Sequence, residues 1–64
     1  MYTYTYLNRY GYEQSENFKT LRDALVRVAR HHEQNQNIPL VLRGGREVYR
    51  QQEILLLCHK YNLL

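Results

Sequence analysis

The run Thr20 to Glu33, TLRDALVRVARHHE, constrains the fold of this chain more than any other stretch. Leu21, Ala24, Leu25, Val28 and Ala29 recur at i, i+3, i+4, i+7 and i+8, and His32 continues that line. Each helical residue turns about 100° around the axis, so this spacing stacks apolar side chains on one face. Arg22, Asp23, Arg27, Arg30, His31 and Gln34 fall mostly elsewhere on the wheel, where they stay hydrated. Thr20 and Asp23 form a capping-box pattern that serves amide hydrogens lacking a partner inside the helix. Phe18, just upstream, is placed to fold back over the first turn.

An amphipathic helix needs a surface to lie on, and 64 residues provide one domain with no room for a second core. A chain of this length buries only ~60% of its unfolded surface, so nearly every apolar residue on an element must be used. With one cysteine, Cys58, an intramolecular disulfide is impossible, which points to a reducing compartment. No apolar run reaches the ~20 residues that cross a bilayer, and the N-terminus lacks the pattern of a signal peptide. The expected setting is the cytoplasm, with no membrane partner. A start at Met1 without a tail is what a complete small gene product would show.

Strand signals flank the helix. Tyr2, Tyr4, Tyr6, Tyr10 and Tyr12 all fall on even positions, with Thr3, Thr5 and Leu7 between the first of them. Alternating aromatic and β-branched residues predict a strand over 1–7 with rings on one face and threonines on the other. Two continuations fit. Asn8-Arg9 can turn the chain into a second short strand over 10–15, or 2–12 can form one long strand; Gly11 weakens both, and the hairpin is preferred.

After the helix, Gln34 to Asn37 reads as an exit loop of residues that bond their own backbone. Ile38 to Leu42 reads as a buried strand with Pro39 near its start, Gly44-Gly45 as a hairpin turn, and Arg46 to Tyr49 as the returning strand. A three-residue loop, Gly44 to Arg46, would set Arg43 opposite Glu47, Leu42 opposite Val48 and Val41 opposite Tyr49. Matched charges and matched apolar partners favour that register by roughly 1 kcal/mol. Gln52 to Asn62 is the second helix. Ile54, Leu57, Cys58 and Tyr61 make its stripe, Leu55, Leu56, Leu63 and Leu64 widen it, and no good N-cap precedes it. The expected class is α+β, a small antiparallel sheet with helices packed on one face, in the order β(β)αββα. No internal repeat is visible.

Chemistry-bearing residues are few. His31, His32, Cys58 and His59 are the soft metal ligands, but adjacent helical residues point apart, so neither neighbouring pair chelates locally. Cys58 on an apolar stripe behaves as a small hydrophobe. A Cys58–His pair would lack an oxyanion hole and a pocket, and Gly44-Gly45 lacks the phosphate-loop pattern. No metal, cofactor or catalytic residue is expected, and the chain reads as a non-enzyme.

Two features point instead to recognition. The Tyr2, Tyr4, Tyr6, Tyr10, Tyr12 row is either the core side of the sheet or an exposed platform. As a platform it would suit a protein interface, or the stacking of nucleic-acid bases. Arg43, Arg46 and Arg50 cluster around the hairpin as a solvated turn or as a grip for phosphates or an acidic partner. Nine Lys and Arg against six Asp and Glu give +3, a mild bias that decides neither. The surplus apolar face of Leu55, Leu56, Leu63 and Leu64 is a candidate homodimer or partner interface.

In its order of elements, with NFKTLRDAL before the helix and LRGGREVY after it, the chain resembles many short α+β proteins of bacteria and their phages. That resemblance is topological and implies a small regulator or inhibitor that binds and blocks a host or partner protein. A protein partner is therefore the first expectation, and nucleic acid, held by Tyr stacking and Arg–phosphate contacts, the second.

Overall fold

Two successive ββα units build the protein. The computed structural model describes residues 1–64. The first unit comprises β1 (Tyr2–Leu7), β2 (Glu13–Phe18) and α1 (Leu21–Gln34); the second comprises β3 (Ile38–Gly44), β4 (Glu47–Arg50) and α2 (Gln51–Lys60). The sheet order is β2-β1-β3-β4, and every neighbouring pair is antiparallel. Antiparallel pairing of β1 with β3 at the centre joins the two units, which share the ββα order although the sequence displays no repeat. Helix α1 lies over β1, β2 and β3, α2 lies over β3 and β4, and the helices touch each other. This is the α+β architecture expected of the chain, with both helices on one side of the sheet.

The tyrosine side of β1 is the core side. Tyr4 is fully buried with Ala24, Leu25, Val28, Leu42, Ile54 and Cys58, and Tyr2 and Tyr6 pack against that cluster. Burying aromatic rings here supplies a large apolar area per residue to the core of a short chain.

Helix α1 starts where its cap predicts, with the Thr20 hydroxyl accepting the Asp23 N–H at 3.1 Å. Its stripe ends differently. His31, expected in solvent, is buried, and His32, expected on the apolar line, is exposed. Positions 31 and 32 extend the stripe almost equally well, being i+7 from Ala24 and Leu25. The Tyr4 hydroxyl, 3.0 Å from His31 Nδ1, satisfies the one that is buried.

The first hairpin turns later than expected. β2 spans Glu13–Phe18 rather than 10–15, because Asn8 to Tyr12 closes on itself. The Asn8 side chain accepts the N–H groups of Tyr10 and Tyr12, its backbone N–H bonds the Tyr12 carbonyl, and Gly11 takes φ +82°. β2 itself, EQSENF, has little strand propensity and forms as an edge paired to β1, with Phe18 opposite Tyr2.

The second hairpin slips by one residue from the expected register. Arg43 pairs with Val48 rather than Glu47, and Leu42 pairs with Tyr49. A one-residue slip moves a whole strand to the other face. Here it turns Tyr49 toward the core and Val48, 46% exposed, toward solvent. Covering a tyrosine ring outweighs the ~0–1 kcal/mol of a surface ion pair between Arg43 and Glu47. The loop is Gly45-Arg46, with Gly45 at φ +59° in the first position of a two-residue turn, so Arg46 needs no left-handed backbone. Gly44 is a strand residue, directly beneath the Tyr2 ring, where a Cβ would collide with it. Between Thr5 and Tyr6 the β1–β3 register shifts by one residue, a bulge at Leu40 beside Pro39, which has no N–H to give the ladder.

Helix α2 runs Gln51–Lys60 and has a start signal after all: Glu53 accepts the Arg50 N–H at 3.1 Å. The reciprocal half of a capping box is missing, since a guanidinium has no acceptor. The helix closes with a Schellman motif. Leu63 N–H bonds the Cys58 carbonyl, Asn62 N–H bonds the His59 carbonyl, and Asn62 takes φ +59°. That turn folds Leu63 and Leu64 back onto the core, where Leu55 also packs. Most of the wide stripe is therefore used within the chain, and Leu56, 68% exposed, and Tyr61, 40% exposed, are its outward members.

Candidate functional site

Antiparallel pairing determines what the helix-free face of the sheet presents, because directly paired residues point to the same side. Across β2, β1, β3 and β4 one row reads Asn17, Thr3, Arg43, Val48 and the next Ser15, Thr5, Val41, Arg50. Leu7 pairs with Glu13 and Ile38 at the far end. The β2–β1 half is a polar ladder. Thr3 Oγ1 donates to Asn17 Oδ1 at 2.8 Å, and the Thr5 and Ser15 hydroxyls are 2.9 Å apart. The β3–β4 half is a checkerboard in which Arg43 lies beside Val48 and Val41 beside Arg50. No helix covers either half, and Ile38 is 51% exposed.

Arg43 and Arg50 are thus brought onto one face, and Arg46 stands at the hairpin tip beside them. None of the three guanidiniums has an ion-pair partner, since the protein's salt bridge is Arg27–Glu16, at 3.4 Å. Of the two acids three residues from Arg50, Glu53 is engaged with its backbone amide and Glu47 is paired with Gly44 on the other side of the sheet.

The five tyrosines divide. Tyr4 has no exposed surface, and Tyr2 and Tyr6 are partly buried on the helix side, so no row of five rings is offered to a partner. Tyr10 and Tyr12 stand at 69% and 68% exposure in the first hairpin loop. There Arg9 donates to the Tyr10 hydroxyl at 2.7 Å and its guanidinium lies 4.9 Å from the ring centroid. An open groove runs between this loop and the Asn35 to Asn37 exit of α1, floored by Leu7 and Ile38.

A polar network under the sheet escaped sequence reasoning. Tyr6 donates to Glu16 Oε2 at 3.1 Å, Glu16 holds Arg27, and the Tyr6 and His31 rings meet edge-on at 4.4 Å. Burial lowers the His31 pKa below its ordinary value, with opposing smaller effects from Glu16 and Arg27. Burial also raises Tyr4 and Tyr6, the latter helped by its bond to Glu16. Tyr4 therefore keeps its proton and shares a hydrogen bond with neutral His31, whose tautomer sets which of the two atoms donates. The signal for this network was the alternation that sets Tyr4, Tyr6 and Glu16 on one side of a β1–β2 pair, legible only once the register is known.

The nucleophile and metal candidates are dispersed. The Cys58 thiol is buried, directed at the Leu25 carbonyl at 3.6 Å and raised by burial to about 11. His31 is occupied by Tyr4, while His32 and His59 are exposed, and no group of three His, Cys, Asp or Glu side chains is placed to hold a metal ion. No helix is long and apolar enough to cross a membrane. Comparison with models of protein families, with curated proteins and with solved structures finds no significant match.

Proposed function

We propose that the protein is a non-enzymatic binding module that docks on another protein through the uncovered face of its sheet. The observation that carries this reading is the β3–β4 checkerboard, where Val41 and Val48 alternate with Arg43 and Arg50 on a face that no helix covers. Apolar side chains interspersed with arginine suit a protein interface, where arginine is enriched over the rest of the surface. A regulator that blocks its partner would need no more than this, because occupying a surface requires no reacting groups. The nucleic-acid alternative keeps only Tyr10 and Tyr12 of its five rings for stacking, since Tyr2, Tyr4 and Tyr6 lie against the helices rather than on the open face.

The test is affinity capture from lysate, with and without nuclease, using wild type, Val48→Asp and Leu56→Asp. The expected result is a protein that stays bound after nuclease, is lost with Val48→Asp and is retained with Leu56→Asp. Capture abolished by nuclease would instead establish nucleic acid. Capture lost only with Leu56→Asp would move the interface to α2.

A further inference from the structure

We infer that the partner presents an acidic protein surface to this face, with Asp or Glu carboxylates spaced around apolar side chains; the inference rests on the docking face proposed above. The positive charge on this face is unmet within the chain. Arg43 and Arg50 stand diagonally on adjacent strands, each paired across the ladder with a valine, and Arg46 extends the same corner into the turn. No carboxylate of the chain neutralises them. Glu16 is held by Arg27 and Tyr6, and Glu53 accepts from the Arg50 backbone. Glu47 pairs with Gly44 and so belongs to the opposite side of the sheet, while Glu13 lies on the distant β2 edge opposite Leu7.

Three guanidiniums left without internal partners are forks suited to bidentate carboxylate pairing. Their placement beside Val41 and Val48 lets a partner cover apolar area and pair charge in one step, and desolvation by the valines strengthens each pair. Phosphate would meet the charges but would leave the valines uncovered. An acidic and apolar protein surface satisfies both halves of the checkerboard.

The experiment uses the intact protein and pools of short peptides as probes. One pool is composed of Asp, Glu, Val and Leu, and a second of Asn, Gln, Val and Leu; a single-stranded oligonucleotide is the third probe. Binding is read from the backbone amide shifts of isotope-labelled protein. The acidic pool should move the amides of Thr3, Thr5, Val41, Arg43, Val48 and Arg50, and should weaken as salt is raised. Replacing Arg43→Glu and Arg50→Glu together should weaken that binding by at least about tenfold, whereas Arg22→Glu with Arg30→Glu, the same charge change on exposed α1, should leave it within about twofold.

Equal binding of the amide pool at the sheet face would overturn the acidic partner and leave the docking face standing. Shifts confined to α1 and α2 would overturn both. Tighter binding of the oligonucleotide would replace a protein partner with nucleic acid, and absence of binding by the acidic pool would overturn the inference directly. Retained dispersion of the amide spectrum in the double variant establishes that any loss is not unfolding.

Discussion

The Tyr4 hydroxyl stands 3.0 Å from His31 Nδ1 inside the core, joining a strand and a helix 27 residues apart. Tyr4 is wholly buried and His31 is 6% exposed, so each supplies the other's hydrogen bond in place of water. No buried side-chain nitrogen or oxygen is left without a partner. A polar pair of this kind adds specificity to a core otherwise made of interchangeable aliphatic contacts.

Tyr4→Phe should therefore destabilise the protein by about 1–3 kcal/mol, although it removes a single oxygen, because it orphans a buried imidazole nitrogen. Urea denaturation measures it. Combining Tyr4→Phe with His31→Leu should recover part of the loss, since the two changes remove both partners rather than one.

The same imidazole makes stability depend on pH. Its folded pKa lies below the unfolded value of about 6.5, so the unfolded chain binds the proton more readily. The stabilisation from neutral His31 is fully present above about pH 6.5 and is lost as pH falls through the lower folded pKa. The urea midpoint should fall as pH drops below about 6.5, and His31→Gln should flatten the fall. A midpoint independent of pH there would mean that His31 is not buried neutral.

Leu25→Ala should cost about 2–5 kcal/mol, enough to unfold much of so small a protein, because Leu25 is fully buried between the sheet and α2. Leu56→Ala, at 68% exposure, should stay within about 0.5 kcal/mol of wild type. Thermal melts of the two variants measure the contrast.

Gly44→Ala and Gly45→Ala should both destabilise, for different reasons. At Gly44 the new methyl meets the Tyr2 ring, a cost of about 1–3 kcal/mol that shrinks when Tyr2 is also truncated. At Gly45 the neighbourhood is open, and the cost, about 1 kcal/mol, comes from holding alanine at φ +59°. The Tyr2 truncation should therefore rescue only the first, as chemical denaturation of the single and double variants will measure.

Cys58 should resist alkylation in the folded protein, its thiol being buried and raised to about 11. Labelling under native conditions should follow the rate of opening, and Leu25→Ala, which weakens the helix contact over the thiol, should accelerate it.

Much of the scaffold was legible in the chain because it rests on local periodicity. The 3.6-residue stripe of Leu21 to Ala29 with its Thr20 cap determined α1, and the alternation of Tyr2 to Leu7 determined β1. β2 was harder to read because EQSENF has no intrinsic preference for a strand and takes that form only by pairing with β1. Asn8 sets where that strand begins through its own backbone bonds, which residue type alone suggests without locating.

The candidate surface was half legible. Arg43, Arg46 and Arg50 stood out as a cluster, and the structure brings Arg43 and Arg50 together on one face. The Tyr row stood out too, but alternation says only that Tyr2, Tyr4 and Tyr6 share a side, not which side the helices cover. That choice is tertiary: Leu25, Val28, Ile54 and Cys58 meet the rings, and the threonine side is left to solvent.

By itself, then, the sequence determined α1, β1, the α+β class and the alternation that sets Tyr2, Tyr4 and Tyr6 on one face of β1, all consequences of backbone period and side-chain type. Only the tertiary structure decided which face is buried, which of His31 and His32 enters the core and which residue of the second hairpin meets Tyr49's partner Leu42. Each of those alternatives differs by a single residue of register or a fraction of a helical turn. Local preferences are nearly equal there, and the balance falls to where a ring finds cover and a hydroxyl finds its hydrogen-bond partner.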